Sequence, residues 1–237
     1  MATSGSIDYN ETLSSIVKDA LLEINAISAD DTPGAPIFAH AQRKLNRILK
    51  SWQAAGFNLW RDTEGSITLV ASQASYTMGG TSPDVSYRPL RISSIRYRDA
   101  NSKDRPLTPI LSRQEYFDLP EKSASGVPTS FYYDPGRDQG TLYIWPVPSS
   151  VTIETLKLTY SRTFEDMDAN ANNPDIPQEW LHALVLTLAA EMCTPVFPDS
   201  PQLLATTKAR AEAAVEEARM WDRETASIHF VPCGYNG

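Results

Sequence analysis

Leu13, Ile16, Val17, Ala20, Leu21 and Ile24 recur at intervals of three and four, the spacing that sets one apolar stripe along a helix. The stretch "SADDTPGAP" breaks the pattern. A second helix is predicted from Pro36 or Ile37 to about Ala55, with Gly56 suited to its C-terminal cap. Its apolar face carries Ala41, Leu45, Ile48, Leu49 and Trp52, and the two helices are expected to pack as an antiparallel pair.

From Phe57 to about Arg162 the period drops toward two, with turn residues between short runs. Strands are predicted at Ile67–Ala71, Ser75–Met78, Leu90–Tyr97, Phe131–Tyr133, Thr141–Trp145 and Val151–Tyr160, with a short helix near Ser112–Phe117. No helical patterns alternate with these strands, so an antiparallel sheet or sandwich is expected rather than a parallel α/β sheet. Helical spacing returns from about Pro177 to Cys193, where Trp180, Leu181, Leu184, Val185, Leu188, Ala189 and Met192 form a wide apolar face. "TPVFPDSP" should end that helix. A last one is predicted over roughly Pro201–Glu224, with Leu204, Ala211, Val215 and Ala218 inward.

The expected fold is therefore α+β: a helical bundle built from N- and C-terminal helix pairs, with an inserted antiparallel β domain. The domain expectation is a helical core of residues 1–56 and 175–226, a β-rich insertion at 57–174 and an extended C-terminal arm at 227–237.

Composition narrows the function. The 237 residues are 41% hydrophobic and 21% charged, ordinary for a folded soluble chain, and no apolar run approaches the ~18–20 residues that span a bilayer. "MATSGSIDYNETL" lacks the layout of a signal peptide, so the protein is expected to stay inside the cell that makes it. Cys193 and Cys233 stand alone, without a CxxC, and suggest neither a zinc site nor a disulfide framework. A net charge of −8 argues against gripping nucleic acid over a broad surface, yet it suits a wall past which DNA slides.

Catalytic signatures are missing. His40, His182 and His229 are scattered, and the chain has no GxSxG, HExxH, P-loop or strand-borne GxGxxG. The reading is not an enzyme, with no cofactor and no metal. The stretch "FEDMDANANNPDIPQEW" (Phe164–Trp180) begins like a calcium loop, with Asp166, Asp168 and Asn170 at alternate positions. The template then fails: Ala171 stands where glycine must turn, and Pro177 where a bidentate glutamate must bind. A helix start explains it better, with Asp175 or a neighbour as cap, Pro177 in the first turn and Glu179 at the positive end of the dipole.

Charge is unevenly placed. Between Thr32 and Arg61 there are five basic residues and no acid, whereas from Asn170 onward nine acids face four basic residues. Arg43, Arg47 and Lys50 share a helix face opposite Leu45, Ile48 and Trp52. Such complementary faces suit head-to-tail association of copies, and the basic row suits an acidic protein partner or passing DNA. At the C-terminus, "SIHFVP" sets Ile228, Phe230 and Pro232 on one side of an extended segment, with Val231 on the other. The candidate partner-binding residues are thus Arg43, Arg47, Lys50, Ile228, Phe230 and Val231.

"KLNRILKSWQAAGFNLW" (Lys44–Trp60) resembles the LN-x-x-L-x-x-W-x-x-x-G-x-x-x-W signature of tailed-phage head-to-tail adaptor proteins, also called head completion, connector or packaged-DNA stabilisation proteins. "ASQASYTMGG", "YRPLRISSI", "SRQEYFDLPEKSASGVPTSFYYDPGRDQGTLYIWPVP" and "FEDMDANANNPDIPQEWLHALVLTLAAEM" resemble further blocks of that family, in order. The resemblance runs from Leu13 to about Ala218 and leaves the tail from Ser227 uncovered. It implies a structural virion protein at the capsid–tail junction, made in the host cytoplasm. That protein would form a ring, usually a dodecamer, beneath the portal protein. The ring would extend the DNA channel, retain packaged DNA and dock tail or nozzle proteins, while dsDNA passes without sequence specificity and no membrane is involved. Two other readings stay open on the residues themselves. One is a β-rich module binding carbohydrate or host surface through Tyr132, Tyr133, Tyr143 and Trp145. The other is a hydrolase with unmarked carboxylates.

Overall fold

The first stripe folds as α1 (Leu13–Glu23) in the computed structural model, which describes residues 4–56, 61–110, 112–149 and 153–222. All six stripe residues are buried. Thr12 caps the helix, its hydroxyl accepting the Ser15 N–H at 3.3 Å. Helix α2 (Ala35–Ala54) starts with Pro36 in its first turn, where a missing N–H costs nothing. It buries Ala41, Leu45, Ile48, Leu49 and Trp52. Gly56, at φ +75°, ends it in the left-handed region.

The short helix α3 (Arg113–Phe117) is capped by the Ser112 hydroxyl. Helix α4 (Leu181–Val196) follows a 3₁₀ turn at Gln178–Trp180. Beyond the expected face it also buries Ala183, Leu186, Ala190 and Cys193, because α1, α2 and α5 (Pro201–Trp221) all pack against it. It runs through Pro195 rather than stopping at Cys193. A proline in the last turn forfeits one backbone bond, and the Phe197 N–H closes the end on the Cys193 carbonyl at 2.7 Å. Helix α5 buries Thr207, Ala211, Ala214 and Ala218, while Leu204 and Val215 are half-buried. Thr207 is tolerated inside because its hydroxyl donates to the Leu203 carbonyl at 2.8 Å. Helices α1, α2, α4 and α5 make one compact unit within residues 1–59 and 165–237, and α3 belongs to the other.

Residues 60–164 make a second unit. Its described residues form ten strands: β1 (Asp62–Thr68), β2 (Ser75–Met78), β3 (Arg91–Arg98), β4 (Asp104–Pro106), β5 (Thr108–Pro109), β6 (Ser125–Gly126), β7 (Ser130–Asp134), β8 (Gly140–Trp145), β9 (Val147–Pro148) and β10 (Thr155–Ser161). One sheet runs β1-β10-β3-β4, a second runs β2-β8-β7-β5, and β6 pairs with β9. The pairing is not wholly antiparallel: β5–β7 and β6–β9 are parallel, each over two residues. A proline lies in each of these contacts, Pro109 and Pro148, and such segments cannot extend a ladder.

The two larger sheets share one core, which includes Ile67, Tyr76, Met78, Ile95, Leu142 and Leu156. On β10 the expected alternation appears, with Leu156, Leu158 and Tyr160 buried and Thr155, Lys157 and Thr159 half-buried. That strand begins at Thr155, however, and Val151 and Thr152 lie outside the described residues.

Tyr133 gives this unit an alkaline limit. Its hydroxyl donates to the Pro89 carbonyl at 2.7 Å, and burial pushes its pKa up to about 12. The unfolded chain releases that proton near pH 10 and the folded chain holds it, so the contribution is complete below pH 10 and lost as pH rises toward 12. Tyr133→Phe is expected to fall less steeply in melting temperature between pH 10 and 12 than the parent. Parallel slopes would refute this.

Candidate functional site

Asn46 and Gln42 decide the shape of the surface that carries the basic row. Asn46 accepts the Met167 N–H on Oδ1 at 2.9 Å and donates Nδ2 to the Met167 carbonyl at 3.0 Å. Gln42 Nε2 reaches the same carbonyl at 3.1 Å. One amide side chain thus pairs with an incoming backbone as a neighbouring strand would, and fixes the acidic loop against α2. The Met167 side chain is buried. Further along the loop, the Asn172 and Asn170 carbonyls accept the Leu13 and Ser14 N–H groups at 2.8 and 3.2 Å, satisfying two donors at the start of α1.

The loop's acids are engaged internally. Asp166 pairs with Lys50 at 2.7 Å, Asp168 accepts from Asn172 Nδ2 at 3.2 Å, and Asp175 accepts the Glu165 N–H at 3.3 Å. Asp175 therefore does not cap the following helix; the residue at that position is Pro177, and no side chain bonds there. Glu179 does lie in the first turn. Among the described residues no group of three or more His, Cys, Asp or Glu side chains is placed to hold a metal ion.

An open depression of about 660 Å³ lies between α2 and this loop, bordered by Arg43, Arg47, Lys50, Asp166 and Asp168. Lys50 is committed to Asp166, and Lys44 on the flank to Glu191 at 2.6 Å. Arg43 and Arg47 are exposed, one helical turn apart, and form no ion pair among the described residues. Two free guanidiniums at that spacing can each grip a carboxylate or phosphate with paired N–H groups. The structure thus sets Arg43, Arg47 and Lys50 on one surface, with Lys50 also paired to the loop through Asp166. Ile228, Phe230 and Val231 lie outside the described residues.

Sequence reasoning missed Asn46 and Gln42 as organisers, because their partner is 121 to 125 residues away. The aromatics of the carbohydrate reading are turned to internal use. Tyr116 of α3 stacks on Tyr132 at 5.3 Å and lies 5.0 Å from Tyr143, while Trp145 Nε1 donates to the Glu121 carbonyl at 2.8 Å. A second groove, of about 740 Å³, runs beside α4 and α5 and is floored in part by the half-buried Leu204 and Val215. No helix of the described residues is long and apolar enough to cross a membrane.

A sequence model described as SU10 adaptor protein matches residues 11–229. No curated protein matches the chain. Among solved structures, a chain from the neck of an empty GTA particle, computed with C6 symmetry, is similar at 10% identity with a TM-score of 0.29, covering 78% of this chain and 81% of that one.

Proposed function

The chain belongs to the SU10 adaptor protein family, and we propose that it is a ring-forming head-to-tail adaptor of a tailed-phage virion. In this reading about twelve copies (the number usual in the resembling family) seat beneath the portal protein, extend the DNA channel, help retain the packaged genome and receive the tail. The observation that carries it is the family match across 11–229, which spans both structural units. The signature residues supply the framework: Leu45, Leu49 and Trp52 are core, and Asn46 holds the returning loop. The exposed Arg43–Arg47 pair is the contact for an acidic surface of the portal or of a neighbouring copy. The net charge of −8 favours passage of DNA without adhesion. Its role is structural, carried by surfaces rather than by chemistry, with assembly in the host cytoplasm and residence at the capsid–tail junction.

Mixing the protein with its portal and imaging the product tests this directly; rings capping the portal are expected, and neither ring nor binding would overturn it. In the same assay Arg43→Gln with Arg47→Gln is expected to leave stability within about 0.5 kcal/mol, since both side chains are exposed. Portal or self-association should weaken by about tenfold or more, the effect of losing two charge-assisted contacts. Unchanged association would remove this row from the interface.

A further inference from the structure

Among the described residues the two larger sheets of the β unit have four edges between them, and three are blunted. The free side of β2 is covered by Asp84 and Val85: Asp84 Oδ2 accepts the Thr77 N–H at 2.7 Å, and the Gly79 N–H reaches the Val85 carbonyl at 2.8 Å. Strand β4 is three residues long and ends at Pro106, and β5 is two residues long and ends at Pro109. Short strands and prolines are the usual protection of an edge. Strand β1 has neither. It is seven residues long, contains no proline, and pairs on one side only.

Its open side can be read from the register. Asp62 faces Ser161 and Thr68 faces Thr155, and the ladder is flanked by the bonds Arg162 N–H to Arg61 carbonyl and Leu69 N–H to Glu154 carbonyl, both 3.1 Å. In an antiparallel pair the bonded positions alternate. Thr63, Gly65 and Ile67 therefore bond to β10, and Asp62, Glu64, Ser66 and Thr68 direct their N–H and C=O groups to the open side. Among the described residues no backbone group meets them there. An added strand would lay its inward side chains beside Thr63, Gly65 and the buried Ile67, and its outward ones beside Asp62 and Glu64.

We infer that this edge accepts residues Ser227–Pro232 of a second copy of the chain as an added strand, held by direct backbone pairing. The sequence "SIHFVP" has the required alternation, with Ile228 and Phe230 inward and His229 outward near Glu64. Pro232 marks the end of the segment, since proline is excluded from ladder interiors. The segment carries no acid, and β1 sets Asp62 and Glu64 on the outward face of its open side, so the added strand brings no like charge against them. Ser227 is five residues beyond Asp222 at the end of α5, a leash of about 17 Å when extended. The exchange rests on the ring reading for bringing copies within reach of each other.

The test uses two full-length chains. One carries Ser66→Pro, which removes an open-side N–H and leaves the β10 bonds; the other carries Phe230→Asp, which spoils the tail. Sedimentation of labelled mixtures should show the two associating, tail of the first on edge of the second, at least about tenfold more tightly than either with itself. Ser66→Ala loses only the Lys157 contact and should behave as the parent. Amide exchange at Glu64 and Ser66 of the Phe230→Asp chain should slow about tenfold in the mixture. Self-association of Ser66→Pro equal to the mixture, or no slowing, overturns the inference. So does slow exchange in dilute parent protein, which would mean its own tail occupies the edge. If Ser66→Pro fails to fold by circular dichroism, a synthetic 223–237 peptide replaces it, and the same exchange readout decides. Portal binding is scored separately: its loss with complementation intact defeats the adaptor reading alone, and the converse defeats the exchange alone.

Discussion

Trp180→Ala is expected to destabilise the helical unit by about 3–5 kcal/mol, the range for deleting a large aromatic side chain from a core that cannot close over the gap. Trp180 is fully buried and meets Trp52 edge-on, with ring centroids 5.2 Å apart and planes at 61°. One indole comes from the 3₁₀ turn that opens α4 and the other from α2, so the pair joins the N-terminal helices to the returning chain. Edge-to-face pairs add about 0.5–1.5 kcal/mol beyond the area they bury. Trp52→Phe, which keeps a ring in contact, should accordingly cost much less. Denaturant unfolding followed by circular dichroism at 222 nm reads the helical unit, and a loss below about 1.5 kcal/mol would show that neighbouring side chains refill the space.

Where burial follows a single face, the chain announces its structure. The stripes of α1 and α2 are read correctly to the residue, since each helix offers one face to α4 and the other to solvent. The reading weakens where that condition fails. Helix α4 is covered by three helices, so Ala183, Leu186 and Ala190 are buried beside the face that periodicity identifies. On α5 the buried Thr207 is polar by type and is satisfied by the Leu203 carbonyl of its own helix and by Cys193 Sγ of α4 at 3.2 Å, while the apolar Leu204 and Val215 line a groove.

Strand β1 was expected to start at Ile67, five residues late. "DTEGSIT" is polar because an edge strand buries little, and Ile67 is its one buried residue. The acidic loop shows a further limit. Sequence excludes a calcium template at Ala171 and Pro177, but the bonds that replace the metal come from Asn46, Gln42 and Lys50, far away along the chain.

Asn46→Ala is the second large effect expected, about 2–3 kcal/mol. Gln42 still serves the Met167 carbonyl, so the loss concentrates on the Met167 N–H. An orphaned donor in a part-buried setting costs about 1–3 kcal/mol, more than the net worth of an ordinary hydrogen bond. Gln42→Ala should cost about 1 kcal/mol or less, because Asn46 covers the same carbonyl. Asn46→Asp should not rescue: it keeps an acceptor for the N–H but turns a carboxylate oxygen toward the carbonyl that Nδ2 had served. The consequence should travel along the loop to α1. With Met167 released, the Asn170 and Asn172 carbonyls lose their fixed position, and the Leu13 and Ser14 amides that they accept should exchange faster with solvent. Denaturant unfolding and amide exchange on the same protein check both halves. A cost under about 0.5 kcal/mol with unchanged exchange at Leu13 and Ser14 would mean that the loop is held by the Lys50–Asp166 pair and the buried Met167 side chain, with Asn46 only resting against it.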